Sequence, residues 1–514
     1  MLFERNGSQL STQDTIRVSQ TRHGDTLALC LSLGESSSIN LDLYAKRLKE
    51  SKQPCFEAIF DLASALPITD AIILFFNDKS AVVVRGASAN FGLYRESGAG
   101  KAKLATYLPP PTDAPLSKKG LWHCVASGLQ QGCYEPNLTL YTPFRDWRRL
   151  RRGAITAINP EGKIQAETPI HYNHRHSGTE DPATMLEVAL KRFSKSTFHN
   201  HHLLVEVSGG YDSTLAALSA QDDVKSWDGV SIDYPYYEFR FEKEAQQAAA
   251  KSLSIKNHYW IDGSKFGSYT RSDWSPKTNE PCLGATGIER TRLVAETAQK
   301  AGAKQILVGT GGDQLFGSDL NTPEPFYYKF SRRFITRAGL PVFNDAQSSL
   351  RSEAVWTDRT IGTYIDPAPF YEQVLRDFGV QFVSPFADRK ILRIALLWGE
   401  IKKKDSLSLS NKDVMRFLPD IRLPPEISNR HGKAPYDGVW SRSYMSNGKH
   451  IGELFSLIEP IFEKIGINNK WLFQQLDSLV KCSTDQDQEV IISYAIAKWF
   501  NEWNVEKLTD ITID

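Results

Sequence analysis

The chain has 514 residues, enough for two or more domains with sizeable cores. Its 61 lysines and arginines almost balance its 60 aspartates and glutamates, and a formal charge of +1 speaks against a basic nucleic-acid surface and against an acidic tail. No window reaches the roughly 18 apolar residues of a membrane span, and the start, Met1-Leu2-Phe3-Glu4, turns polar too early for a signal peptide.

Cys30, Cys55, Cys124, Cys133, Cys282 and Cys482 are scattered, with no Cys-x-x-Cys pair. That pattern suits neither a zinc site nor the disulfide framework of a small secreted domain, so reduced thiols and a cytoplasmic protein are expected.

In chain order, the first 180 residues are expected to be β-rich. Leu27–Leu33, Ala71–Phe76 and Ala81–Arg85 are short apolar strands, with Asn77-Asp78-Lys79 as a turn between the last two. Arg145, Arg148, Arg149, Arg151 and Arg152 crowd together and are expected on a solvated loop. Gly153–Lys163 is a hairpin around Asn159-Pro160-Glu161-Gly162, and the polar stretch His171–Pro182 is a linker.

Leu203–Val207 is a strand that runs into Ser208-Gly209-Gly210-Tyr211-Asp212-Ser213 and then a helical pattern through Leu215 and Leu218. Consecutive glycines turn backbone N–H groups into one concavity, and the helix start adds its dipole, which makes an anion site. Ser208 and Ser213 add hydroxyl donors. Asp212 suits a polyphosphate only through a cation, so Mg²⁺ is expected there. The Gly-Lys-Ser/Thr ending of an ordinary P-loop is absent. Strands and helices then alternate (Val230–Tyr234, Phe241–Leu253, His258–Ile261, Ile288–Lys300, Gln305–Gly309), which predicts a parallel sheet with ligands at the carboxyl ends of its strands. A second loop, Gly309-Thr310-Gly311-Gly312-Asp313, puts another aspartate just beyond another strand. Asp212 and Asp313 then flank one Mg²⁺–pyrophosphate group. Glu238 and Glu244 lie near a strand end: Glu244 is expected on an exposed helix face, while Glu238 is left open between such a face and contact with ATP or a second cation.

The hexapeptide at Ser208 resembles the PP-loop of ATP pyrophosphatases, which cut ATP between its α and β phosphates. With it, Arg85–Tyr94, Thr139–Gly153, Asn279-Glu280-Pro281, Val308–Gly317, Phe382–Asp388, Lys412–Arg416 and Leu423–Val439 resemble segments of the asparagine synthetase-like amide synthetases. The resemblance implies an α/β chain in two parts. A β-rich, degenerate glutaminase-like domain of the Ntn-hydrolase type spans 1–175. A PP-loop (adenine nucleotide alpha hydrolase-like) synthetase domain with a parallel sheet and a helical C-terminal part spans 182–514.

Leu2 stands where glutaminase members carry their cysteine, so glutamine hydrolysis is not expected, and the chain is most similar to the lasso-peptide macrolactam cyclase and β-lactam synthetase branches. Thr310 replaces the Glu or Tyr found in relatives, and Gln381 replaces a glutamate; a neutral amide cannot act as a base. The resemblance implies adenylation of a carboxylate by ATP with Mg²⁺, then attack by an amine. Lys433 stabilises developing charge, and Ser208, Gly209, Gly210, Asp212, Ser213, Gly309, Gly311 and Gly312 hold the nucleotide. A processed precursor peptide is the expected partner, together with a leader peptidase and without nucleic acid. The alternatives are a β-lactam synthetase or ammonia-dependent enzyme on a small molecule, and an inactive peptide-binding scaffold.

Overall fold

The computed structural model describes residues 71–126, 140–170, 181–316, 330–348, 377–405, 412–430, 437–482 and 488–503, with short breaks in the first and third ranges, and strands at 2–3, 17–23 and 26–32. The chain opens with β1 (Leu2–Phe3), β2 (Arg17–His23), β3 (Thr26–Ser32), β4 (Ala71–Phe75), β5 (Ala81–Arg85), β6 (Tyr94–Glu96) and β7 (Lys103–Ala105). Helix α1 (Lys118–Ala126) follows, then β8 (Trp147–Arg149), β9 (Ala154–Ile158) and β10 (Ile164–Pro169). These strands form a four-stranded sheet, β1-β7-β6-β8, and a six-stranded sheet, β10-β9-β5-β4-β3-β2. Every described pairing in both is antiparallel. The β9–β10 turn forms as its residues dictate. Gly162 takes φ +80, its N–H donates to the Asn159 carbonyl at 2.9 Å, and the Asn159 side chain accepts from Lys163 N at 2.7 Å.

The second part alternates helix and strand: α2 (Pro182–Phe198), β11 (His202–Glu206), α3 (Tyr211–Ala220), β12 (Ser226–Asp233), α4 (Arg240–Ser252), β13 (His258–Asp262), α5 (Ile288–Ala301), β14 (Gln305–Leu307) and α6 (Gly312–Phe316). Then come β15 (Gln381–Val383), α7 (Arg389–Asp405), α8 (Asp413–Arg416), α9 (Pro425–Ser428), α10 (Asp437–Ile465), α11 (Asn469–Cys482) and α12 (Gln488–Glu502). The sheet order is β13-β12-β11-β14-β15, parallel throughout. Its fifth strand comes from the stretch expected to be helical and packed. At three half-buried residues, β15 is too short to show a period-2 pattern.

Side chains alternate across β11. Leu203, Val205 and Val207 enter a core with Leu186 and Leu190 of α2, Leu215 of α3 and Ala245 of α4, whereas Leu204 packs on the other face with Val294 and Ala298 of α5. The first core also takes in Ile72, Leu74, Val82 and Val84 of the six-stranded sheet, so the two parts share apolar contact.

The arginine cluster departs from the expected solvated loop. Arg149, Arg151 and Arg152 are buried. β8 pairs with β6 and carries the segment inside, where Arg149 pairs with Glu280 of the second part and Arg151 with Glu167 at 2.6 Å. The Tyr94 hydroxyl also donates to Glu280, at 2.9 Å. Nearby, the Trp499 and Trp503 indoles both donate to the Thr278 carbonyl, at 3.0 and 3.1 Å, while the Thr278 hydroxyl donates to the Glu280 carbonyl. The expected linker 171–180, Asn279 and Lys433 lie outside the described residues.

Candidate functional site

The two glycine loops meet at the carboxyl edge of β11 and β14. Gly209 has φ +72, and a Cβ there would lie 2.9 Å from Gln246 N and 3.0 Å from Ala245 Cβ, so α4 leaves room only for glycine. The second loop presses directly on the first. A Cβ on Gly309 would stand 2.3 Å from Ser213 N, and one on Gly312 would stand 2.5 Å from Asp212 Cγ. A side chain at either position would push the first turn of α3, and Asp212 with it, out of place. Gly210 is the N-cap residue of α3 and brings no side chain to the amides of its first turn. The Ser208 and Ser213 hydroxyls bond to each other at 2.7 Å, and Gly210 N donates to the Ser208 hydroxyl at 3.3 Å.

Asp212 and Asp313 converge on a cation. Lys412 Nζ donates to both carboxylate oxygens of Asp212 at 3.0 Å and to Asp313 Oδ1 at 2.5 Å. Burial pulls the lysine's pKa down, but the two carboxylates outweigh it and hold the pKa above its ordinary value. Asp212 is buried, while the Asp313 side chain is 48% exposed, so the cluster opens to solvent on one side. Two hard oxygen donors that already share a positive charge fit a divalent cation, the role expected of Asp212 and Asp313. In the sequence, Lys412 stands only as the first residue of the Lys412–Arg416 segment, without a role. Its lysine-first spacing was visible in the sequence; the approach of a residue about 200 positions away to Asp212 was not.

Around the loops, the Arg430 guanidinium donates to the Gly209 carbonyl at 3.4 Å and pairs with Glu242, fixing the first loop against α4. The Tyr211 hydroxyl reaches the Ser428 carbonyl at 3.2 Å. Glu238 pairs with Arg442 at 2.9 Å, and that guanidinium lies 3.8 Å over the Tyr236 ring, whereas Glu244 is exposed as expected. In the second loop the Thr310 carbonyl accepts from the Ser384 hydroxyl at 2.5 Å. Parallel register sets Gln381 opposite Gln305, at the end of the sheet away from the loops.

The sequence profile of the asparagine synthase family matches residues 195–456, a little over half the chain, taking in both loops and Lys412. The chain belongs to the asparagine synthase family. Membership of the asparagine synthase family supports an ATP-dependent, ligase-type activity. Solved structures to which the chain is distantly similar include an NMN synthetase from Francisella tularensis, at 12% identity and a TM-score of 0.19 over 51% of this chain and 94% of that one. Another is a U34-tRNA thiolase from Methanococcus maripaludis, at 12% identity and a TM-score of 0.22 over 59% and 78% respectively. No curated protein matches the chain. Among the described residues no helix is long and apolar enough to cross a membrane.

Proposed function

We propose that the protein is an AMP-forming amide ligase that adenylates a carboxylate and passes the acyl group to an amine, and that it closes a macrolactam on a processed precursor peptide. The observation that carries the adenylation reading is the convergence of Asp212, Asp313 and Lys412 between two touching glycine loops. Backbone amides of Ser208–Ser213 at the start of α3 face the departing pyrophosphate with the positive end of the helix dipole. Asp212 and Asp313 would hold Mg²⁺, which supplies neutralisation of the phosphate charge. Lys412 stabilises the same charge electrostatically, and Lys433 remains proposed for the α-phosphate side. In the second step the amine attacks the acyl carbon, the bond to AMP breaks and the amide remains.

Thr310 and Gln381 support the cyclase branch over a β-lactam synthetase, because both are neutral where an acid or a phenol stands in other members. Incubating the protein with ATP, Mg²⁺ and the peptide encoded beside its gene, followed by mass spectrometry, tests the reading. Loss of one water from the peptide with equimolar AMP is the expected result. AMP without a dehydrated peptide would transfer the activity to a small-molecule acid, and no AMP with any carboxylate would overturn the ligase reading.

A further inference from the structure

We infer that Glu206, held by Arg290, receives the ammonium group of the attacking nucleophile and takes its first proton. The inference rests on the amide-ligase reading above. A primary amine is protonated at neutral pH and cannot attack an acyl carbon until it loses a proton, so the amide-forming step needs an acceptor at the carboxyl edge of the sheet. Asp212 and Asp313 are committed to Lys412, Asp233 meets Lys243, Glu242 meets Arg430, and Glu238 meets Arg442 at the rim.

Glu206 differs from these by its position. It is the last residue of β11, one beyond the Val205–Leu307 pair and two residues before Ser208. By strand alternation it shares the α5 face with Leu204, and two residues of extended chain put it about 6.6 Å behind Ser208, within reach of a glutamate side chain plus a bound ammonium. The opposite face at this level is filled with apolar side chains, Val205 and Val207 among them. On the α5 face the strand end is polar and open: the Glu206 side chain is 17% exposed and that of Arg290, from the first turn of α5, is 38% exposed. Among the described residues Arg290 from α5 pairs with Glu206, and the half-buried Tyr234 phenol beyond the end of β12 feels the charge of both. Tyr234 in turn lies over Gly263, where a Cβ would stand 2.6 Å from its ring. A carboxylate already paired with one guanidinium can bind an ammonium as a second partner without being left unpaired when the site is empty.

The step balances as follows. The ammonium gives one proton to Glu206, the free amine's lone pair forms the C–N bond, and the acyl C–O bond breaks with its electron pair leaving on AMP. The second nitrogen proton passes to the departing phosphate.

The test compares two half-reactions of the full-length protein, ATP–pyrophosphate exchange and amide formation, using a carboxylate-bearing peptide with ammonium chloride or hydroxylamine as nucleophile. Glu206→Gln is expected to keep exchange within twofold of the unmodified protein while amide formation with ammonium at pH 7 falls about 100-fold. The loss should shrink as pH rises toward the pKa of ammonium. Hydroxylamine, largely unprotonated at neutral pH, should be used at near-normal rate. Glu206→Asp keeps the carboxylate and should recover part of the ammonium rate, which separates chemistry from a broken ion pair. Equal losses in both half-reactions, equal losses with both nucleophiles, or an unchanged ammonium rate would each overturn the inference and leave the adenylation reading standing. Absence of exchange in the unmodified protein would overturn that reading and the inference with it.

Discussion

Two clusters in this molecule pair cations with carboxylates, and they are built in opposite ways. At the glycine loops, two carboxylates share one ammonium, and the Asp313 and Lys412 side chains keep 48% and 21% of their exposure. Between the two parts of the chain, Arg149 and Glu280 are 6% and 13% exposed, with the Tyr94 phenol against them. Burial and Glu280 push the Tyr94 pKa far up, so that phenol stays a hydrogen-bond donor at any working pH. The first cluster is cheaper to rearrange because water reaches Asp313 and Lys412, although Asp212 is as buried as Glu280. Opening the second would strand charges in a dry interior, a cost of several kcal/mol. Exposure thus separates the open cluster at the glycine loops from the one that fastens the two parts together.

The strongest way to break that contrast is Asp212→Ala, expected to abolish ATP–pyrophosphate exchange while the far-ultraviolet dichroism stays unchanged; persistent exchange would remove Asp212 from the site. Lys412→Met should lower exchange about 100-fold. It should also leave the two carboxylates repelling each other, so the nucleotide-free melting temperature should fall and recover on adding Mg²⁺–ATP, as read by thermal denaturation. At the sealed cluster, Glu280→Gln should act on stability, costing about 3–5 kcal/mol in urea unfolding. The cost should shrink when Arg149→Met is added, since the stranded guanidinium is then gone. An effect confined to acid pH belongs to His123, which is buried and stacked on Tyr141 at 4.0 Å. Burial lowers its pKa to about 3, with nearby Lys119 adding to the shift. Its folded pKa lies below the ordinary value of 6.5, so its contribution is complete above that pH and is lost as pH falls from 6.5 toward 3. The slope should reach at most about 1.4 kcal/mol per pH unit. His123→Gln should flatten that part of the stability profile.

The two glycine loops were legible in the sequence because their pattern is local. A β-branched run, paired glycines and an aspartate two residues on determine strand, turn and helix start within a dozen positions. The alternating strands and helices after Val230 were legible for the same reason: β12 begins four residues earlier than expected, at Ser226, and the later elements lie within one or two residues of their expected spans. What the sequence hid depends on distant partners. β15 has three residues and becomes a strand only by pairing with β14. Arg149 reads as a surface charge until Glu280, 131 positions later, is known to meet it. Lys412 gains its meaning only from Asp212 and Asp313. Short-range pattern does not encode such meetings.

Trp499 and Trp503 both point their indole N–H groups at the carbonyl of Thr278, two residues from Glu280. The end of α12 and the residue just beyond it therefore carry a native optical gauge of how firmly the N-terminal sheets are seated. Any ligand, variant or pH that loosens the Arg149–Glu280 contact should change the polarity around these two chromophores and shift their emission, with no label attached to the protein.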